Sequence, residues 1–307
     1  MIPRQVTELA EQRQAARAAK EFAEADRLRD QIEAAGFIVT DTPEGPELEP
    51  KPRFDRVDPA SIQSCLDQPA TMRASLQLLH EGHIEDLARF LGALRATTDL
   101  SDIETVVVDP ATADAEQILE LIADVPNGRS VHLDTDPGWG GSRNAGMKTS
   151  VGEFIVLADL SIEPKQDLLA PLLEALEADP RLAVTGPIGI VTTDMREWHE
   201  AATEVCDAIE GYLFATRRDL LRRIDLIDER FTWYRNADIH LSLRLREEAG
   251  GAPAKITPVA FDRHEHRGYA KYPEGKIRDR ESRRNYNRVL DRYRNARDLL
   301  TGAPAKG

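Results

Sequence analysis

The stretch Gly138-Trp-Gly-Gly-Ser-Arg-Asn-Ala-Gly-Met-Lys-Thr-Ser-Val-Gly-Glu-Phe-Ile-Val-Leu-Ala-Asp159 decides the fold class. Its glycine-rich first half predicts a tight loop turning into a short helix that ends over Gly146–Ser150, because glycine permits turns and close backbone approach. Phe154–Ala158 is a short apolar run rich in branched residues, as a buried strand requires, and it stops at one carboxylate, Asp159. The same grammar surrounds it. Strands are expected at 74–79, 103–109, 130–133 and 183–188, and helices at 84–97, 113–123 and 167–178. Strands alternating with helices predict an α/β fold with a mostly parallel, Rossmann-like sheet flanked by helices. Ligands of such sheets bind at the carboxyl ends of the strands, where Asp109 and Asp159 fall.

Further along, Phe231-Thr-Trp-Tyr-Arg-Asn-Ala-Asp-Ile-His-Leu-Ser-Leu-Arg-Leu-Arg246 sets an aromatic turn before an amphipathic helix headed by Asp238. An acid there is either a helix N-cap, favoured by the helix dipole, or a general base. His240 in that helix is expected to be structural.

Four segments together resemble the inverting, GT-A-type glycosyltransferases of family 2, over residues 72–270. Val106-Val-Val-Asp109 matches a strand whose Asp contacts the nucleoside, with Pro-Ala-Thr standing where the family has Asn-x-Ser. Ser142-Arg-Asn-Ala-Gly146 matches the family's Ala-Arg-Asn-x-Gly, which implies that Arg143 balances phosphate charge and that Asn144 fixes the loop or the nucleotide. Asp159-Leu-Ser161 matches the Asp-x-Asp that holds a divalent cation, Mn²⁺ or Mg²⁺, on the diphosphate. One carboxylate is replaced by Ser161, and Glu163 stands nearby as a substitute. Gly211, in Glu210-Gly-Tyr-Leu-Phe-Ala-Thr-Arg-Arg, aligns with a donor-binding glycine. In Asn236-Ala-Asp-Ile-His240, Asp238 takes the general-base position, while Ala237 replaces the family's Glu. In Arg263-His-Glu-His266, the alternating histidines point to opposite sides of an extended segment, and His266 is the one expected to reach the cation.

The resemblance thus implies a hexosyltransferase-like enzyme. Its catalytic residue would be Asp238. Asp109, Arg143, Asn144, Asp159 and Gly211 would bind a nucleotide-diphosphate sugar, and Asp159, Ser161 and His266 the metal. A saccharide or lipid-linked sugar would be the acceptor. The degraded Asp-Leu-Ser and Ala237 positions keep a second reading open, a sugar-nucleotide-binding or scaffold protein without turnover.

Ahead of this region, Ala15-Ala-Arg-Ala-Ala-Lys-Glu-Phe-Ala-Glu-Ala-Asp-Arg-Leu-Arg-Asp-Gln-Ile32, then Gly36 and Asp41-Thr-Pro-Glu-Gly45, resembles the C-terminal tail of cysteinyl-tRNA synthetases. Helical spacing predicts a hairpin over 1–45 serving as an interaction module, followed by a Pro- and acid-rich linker over 46–70. The transferase domain is expected over 71–272 and a basic helix over 273–307, which would face a membrane surface or an acidic partner, or else be a solvated face.

A net charge of −14 argues against nucleic-acid backbone binding. No apolar run has the length of a membrane span, and no signal peptide opens the chain. Two cysteines, Cys65 and Cys206, make no disulfide framework or zinc pattern. These features predict a cytoplasmic protein, peripheral at the inner membrane face if the basic helix docks there.

Overall fold

The computed structural model describes residues 2–43, 45–267 and 275–306. The chain divides into two units, Met1–Asp55 and Arg56–Gly307. In the first, helices α1 (Arg4–Ala18) and α2 (Phe22–Ala34) form a hairpin beside an antiparallel pair, β1 (Phe37–Thr42) and β2 (Gly45–Pro50). Val6, Ala10 and Ile32 are buried against Phe37, Val39 and Leu48, so this small unit has its own core. Arg13 is buried and donates to both oxygens of Asp41, at 2.7 and 3.2 Å.

In the second unit a sheet of nine strands among the described residues runs in the order β12-β15-β9-β14-β7-β4-β5-β6-β3. Its first half comprises β3 (Arg56–Val57), β4 (Met72–Leu79), β5 (Ile103–Asp109), β6 (Gly128–Leu133) and β7 (Gly152–Ala158). These five pair in parallel, so their carboxyl ends share one edge. A short strand, β8 (Ile162–Pro164), leaves the sheet after Asp159. Then come β9 (Val184–Gly186), the small strands β10 (Gly189–Val191) and β11 (His199–Glu200), β12 (Val205–Cys206), β13 (Ala208–Ile209), β14 (Leu213–Arg217) and β15 (Ala254–Ile256). β14 is antiparallel to both β7 and β9. The last strand, β16 (Phe261–Arg263), pairs antiparallel with β8.

Helices α3 (Ile84–Thr97), α4 (Ala115–Ala123), α5 (Gly138–Thr149), α6 (Ala170–Ala178), α7 (Arg218–Arg223) and α8 (Ala237–Glu248) cover the sheet, and α9 (Gly275–Tyr293) follows. Helices α3, α4 and α6 bring Leu87, Phe90, Leu91, Ile118, Leu172 and Leu176 onto one face of the strands. The central strands are buried on both faces, which accounts for their unbroken apolar runs. The architecture is the expected one, a mostly parallel α/β sheet flanked by helices.

Three local expectations differ. Residues 46–70 are not a plain linker, because Gly45–Pro50 pairs as β2 and Arg56–Val57 joins the main sheet as its edge strand. Leu66 is buried, and Arg218 donates to the carbonyls of Cys65 and Leu66. Gly138–Gly146 is not a loop. It is wholly within α5, and its glycines let a helix lie close to its neighbours: a Cβ at Gly146 would collide with Gln77 and sit 2.6 Å from Val108 Cγ2. The basic C-terminal helix belongs to the second unit. It buries Glu281, Asn285, Val289 and Tyr293, one residue per turn, while Arg280 and Arg284 pair with Glu281, Arg292 with Glu247 and Arg294 with Asp291. The expected boundary at 272 lies outside the described residues. No described helix is long and apolar enough to cross a membrane.

Candidate functional site

A trough runs along the carboxyl edge of β4, β5, β6 and β7. One cavity of about 360 Å³ lies between the loop after β4 and the start of α5, bounded by Glu81, Thr112, Asp136, Trp139 and Trp233. Another of about 360 Å³ adjoins it through Trp139 and Tyr234, and it holds Asp159, Glu210, Asp238, Arg263 and His266.

The aromatic turn forms the wall between them. Its carbonyls cap the start of α5: Trp139 N–H donates to Thr232 O at 3.1 Å, and Gly140 N–H to Phe231 O at 2.9 Å. Those helix-terminal donors are therefore satisfied within the chain. Asn285 of α9 donates to Trp233 O and Arg235 O, at 2.7 and 2.9 Å, fixing the turn from outside. Asn236 then adopts φ 63°, a left-handed conformation that Asn tolerates, and α8 begins.

Asp238 is the second residue of α8 and lines the second cavity. Its Oδ2 accepts from Gly211 N at 2.9 Å, and its Oδ1 from Ile239 N at 2.9 Å. Burial raises its pKa against the lowering effect of these backbone donors. Asp238 is not the N-cap of α8, a position that Asn236 holds; it sits in the first turn and accepts from the N–H of Ile239 there. Gly211 lines the cavity, and its backbone N–H is taken up by Asp238. Glu210 stands beside it, with its pKa raised by burial and then by the charge of Asp238. His240 is a core residue, packed 4.8 Å from Phe231 and kept neutral by burial with a pKa of about 3.

Asp159 follows β7 directly. Antiparallel pairing of β16 with β8 carries the chain back over it, and His266 Nε2 comes 2.9 Å from Asp159 Oδ2. As the period-two alternation requires, His264 goes elsewhere, to Glu163 at 2.8 Å. Burial opposes the ionisation of Asp159, but bonds from His266 and Ser161 hold its pKa below the usual carboxylate range. Burial likewise opposes charge on His266, yet Asp159 outweighs it and the pKa rises to about 8. The His266 ring stacks on Tyr234, with centroids 4.4 Å apart.

A third group joins them. Ligand atoms of Glu81, Asp159 and His266 lie within 4.8 Å of one another. Ser161 is 4% exposed, and its Oγ has no hydrogen-bond partner among the described residues. Two carboxylates, an imidazole and a buried hydroxyl fit a divalent cation with hard-ligand preferences. Sequence reasoning missed Glu81, and its only signal was an acid just past the end of a strand. Glu163 does not join this group. Lys165 and His264 hold it at 2.9 and 2.8 Å.

Of the remaining expected residues, Arg143 lines the cavity that holds Asp159, whereas Asp109 and Asn144 line neither cavity. Asp109 is 0% exposed, and its carboxylate accepts from Thr112 N and Oγ1 (2.8 and 2.6 Å) and bonds His132 Nδ1 at 2.9 Å. It shapes the loop that carries Thr112, which lines the first cavity. Arg143 is 3% exposed and donates to Gln77 O and Ala158 O, 3.1 and 3.0 Å away. It ties the ends of β4 and β7 together, and its charge faces Asp159 in the same cavity. Asn144 bonds Ile227 in both directions and donates to Glu229, so it fixes that loop.

The family described as "Glycosyl transferase family 2" matches residues 80–240, and the one described as "Cysteinyl-tRNA ligase anticodon binding domain" matches residues 2–45. Among curated proteins, the cysteine–tRNA ligase of Caldicellulosiruptor saccharolyticus is 52% identical over 48 residues, 16% of this chain and 10% of that one. Succinoglycan biosynthesis protein ExoO of Rhizobium meliloti is 32% identical over 94 residues, 31% of this chain and 27% of that one. The chain therefore spans 10% and 27% of the length of these relatives. Two solved structures share the fold. GalNAc-T7 with UDP, GalNAc and Mn²⁺ superposes with TM-score 0.58 at 15% identity, covering 73% of this chain and 48% of that one. The mannosyltransferase PcManGT from Pyrobaculum calidifontis, in complex with GDP-Man and Mn²⁺, gives 0.55 at 18%, covering 81% and 72%.

Proposed function

On the premise that the chain belongs to glycosyl transferase family 2, we propose that it moves a hexose from a nucleotide-diphosphate donor to an acceptor hydroxyl with inversion, Asp238 acting as general base. One observation carries this reading: Asp238, at the head of α8, opens into the same cavity as Asp159 and His266. A base on one side of a cavity and an anion-neutralising site on the other are what an in-line displacement requires. The acceptor oxygen loses its proton to Asp238 as it bonds the sugar carbon, and the nucleoside diphosphate leaves on the opposite side. Burial favours the protonated form of Asp238 and so strengthens it as a base.

Asp159, Ser161 and His266 would hold Mn²⁺ or Mg²⁺, which supplies neutralisation of the leaving diphosphate. The fit rests on the donor set, not on the family alone. The cavity beside Trp139 and Trp233 offers stacking surface to the nucleoside. Tyr212, Tyr234, Glu210 and Arg263 give the other cavity the aromatic and charged surface that suits a saccharide or lipid-linked sugar acceptor.

The 1–55 unit would act as an appended recognition module, a reading supported by its separate core and its likeness to a tRNA-ligase domain. The basic residues of α9 support a membrane or partner contact only weakly, since several already pair within the chain.

Purified protein incubated with UDP-, GDP-, dTDP- and CDP-hexoses and Mn²⁺ tests the proposal. Release of one nucleoside diphosphate with an inverted product anomer is expected. A retained anomer overturns the single-displacement mechanism. Binding of a nucleotide with no turnover across the panel transfers the reading to a sugar-nucleotide-binding scaffold, which Ser161 and Ala237 favour.

A further inference from the structure

We propose that Glu81 is a direct ligand of the cation at Asp159 and His266, so that the loop after β4 restores the carboxylate missing from Asp159-Leu-Ser161. This rests on the transferase reading above and deepens it.

The sequence motif alone leaves a thin site. Asp159 and His266 offer one carboxylate and one imidazole, while Mg²⁺ and Mn²⁺ prefer several hard oxygen ligands. The fold supplies another. β4 and β7 are neighbours in parallel register, with Leu78 opposite Ala158. That register brings the residues just past both strand ends to the same place, Glu81 from one and Asp159 from the other. Ligand atoms about 2.1 Å from a shared ion lie up to about 4.2 Å apart. The observed spread within 4.8 Å is thus close to coordination distance. Two carboxylates also match the charge of a dication.

One observation beyond the cluster itself points to a ligand. Ser161 Oγ is buried without a hydrogen-bond partner among the described residues, and it borders the same small cavity as Glu81, Asp159 and His266. A buried hydroxyl in that condition is costly unless something, such as a coordinated ion or its water, meets it. Asp86, which also lines this cavity, pairs with Arg89 at 2.6 Å. Of the acids around this cavity, Glu81 is the one grouped with Asp159 and His266.

The experiment is Mn²⁺ binding by calorimetry to the full chain and to the variants E81Q, E81A, D159N and E163Q, with and without UDP or GDP, each variant checked by its thermal melt. E81Q and E81A should weaken Mn²⁺ binding by at least about tenfold, with E163Q unchanged. Wild-type affinity in a folded E81Q or E81A, with D159N impaired, overturns the role of Glu81 and leaves the transferase reading standing. Nucleotide binding by a wild-type protein that takes up no Mn²⁺ also overturns the Glu81 proposal alone. Absence of both Mn²⁺ and nucleotide binding overturns both.

Discussion

His266 Nε2 and Asp159 Oδ2 lie 2.9 Å apart, joining the last strand of the fold to the carboxyl end of its central one. The pair makes stability depend on pH. His266 is raised to about 8, above its ordinary value of 6.5, so its folded form binds a proton more tightly than its unfolded form. That contribution is full below about pH 6.5 and is lost as pH rises through about 8. In metal-free protein, the stability difference between wild type and H266Q should be on the order of 2 kcal/mol at pH 6 and should shrink towards pH 9. Urea unfolding at pH 6, 7.5 and 9 measures it, and a difference independent of pH would show that the ring is held by packing on Tyr234 instead.

Asp238→Asn keeps the shape of the side chain and removes the base. Transfer should fall by about 10²–10⁴, the usual contribution of a general base, while donor affinity stays within about twofold. The amide oxygen can still accept one backbone N–H, and the N-cap position belongs to Asn236, so α8 should keep its start and the melt should be nearly unchanged. Equal losses of nucleotide binding and turnover would mean that Asp238 positions the donor.

The fold was legible because strand and helix periods leave different marks, and central strands buried on both faces read as solid apolar runs. The alternation of His264 and His266 was legible for the same geometric reason. What could not be read were meetings between distant segments. Glu81 has no sequence spacing to Asp159; only the parallel register of β4 and β7 joins them. The glycines of α5 are ambiguous in principle, since a loop that cradles phosphate and a helix pressed against a sheet both need a missing Cβ. Asp109 and Asn144, which line neither cavity, show the same ambiguity, because polar residues that hold a loop in place look in sequence like those that line a cavity.

That view of α5 is testable at Gly146. Its Cβ position is occupied by Gln77 and Val108, and Gln77 is itself bound to Arg143 O at 2.5 Å. Gly146→Ala should cost about 1–3 kcal/mol through overpacking and displacement of Gln77. A matching change at Gly92, which has open space, should cost nothing and would gain the helix preference of alanine. Thermal melts of the two variants separate packing from a phosphate-cradling role, which predicts lost nucleotide binding with an unchanged melt.

Asn285 provides the most remote lever on the site. Its amide donates to Trp233 O and Arg235 O from a buried position on α9, holding the turn that ends at Asp238. Asn285→Ala leaves both carbonyls without that donor, at a cost of about 1–3 kcal/mol, and frees the wall between the two cavities. The turn touches the acceptor side through Tyr234 and Arg235, whereas Glu81 and Asp159 stay fixed to β4 and β7. The acceptor KM should therefore rise severalfold and kcat fall, with Mn²⁺ affinity unchanged. If the variant instead lost Mn²⁺ affinity together with acceptor affinity, the stacking of Tyr234 on His266 would be the link, and the two halves of the trough would have to be treated as one unit.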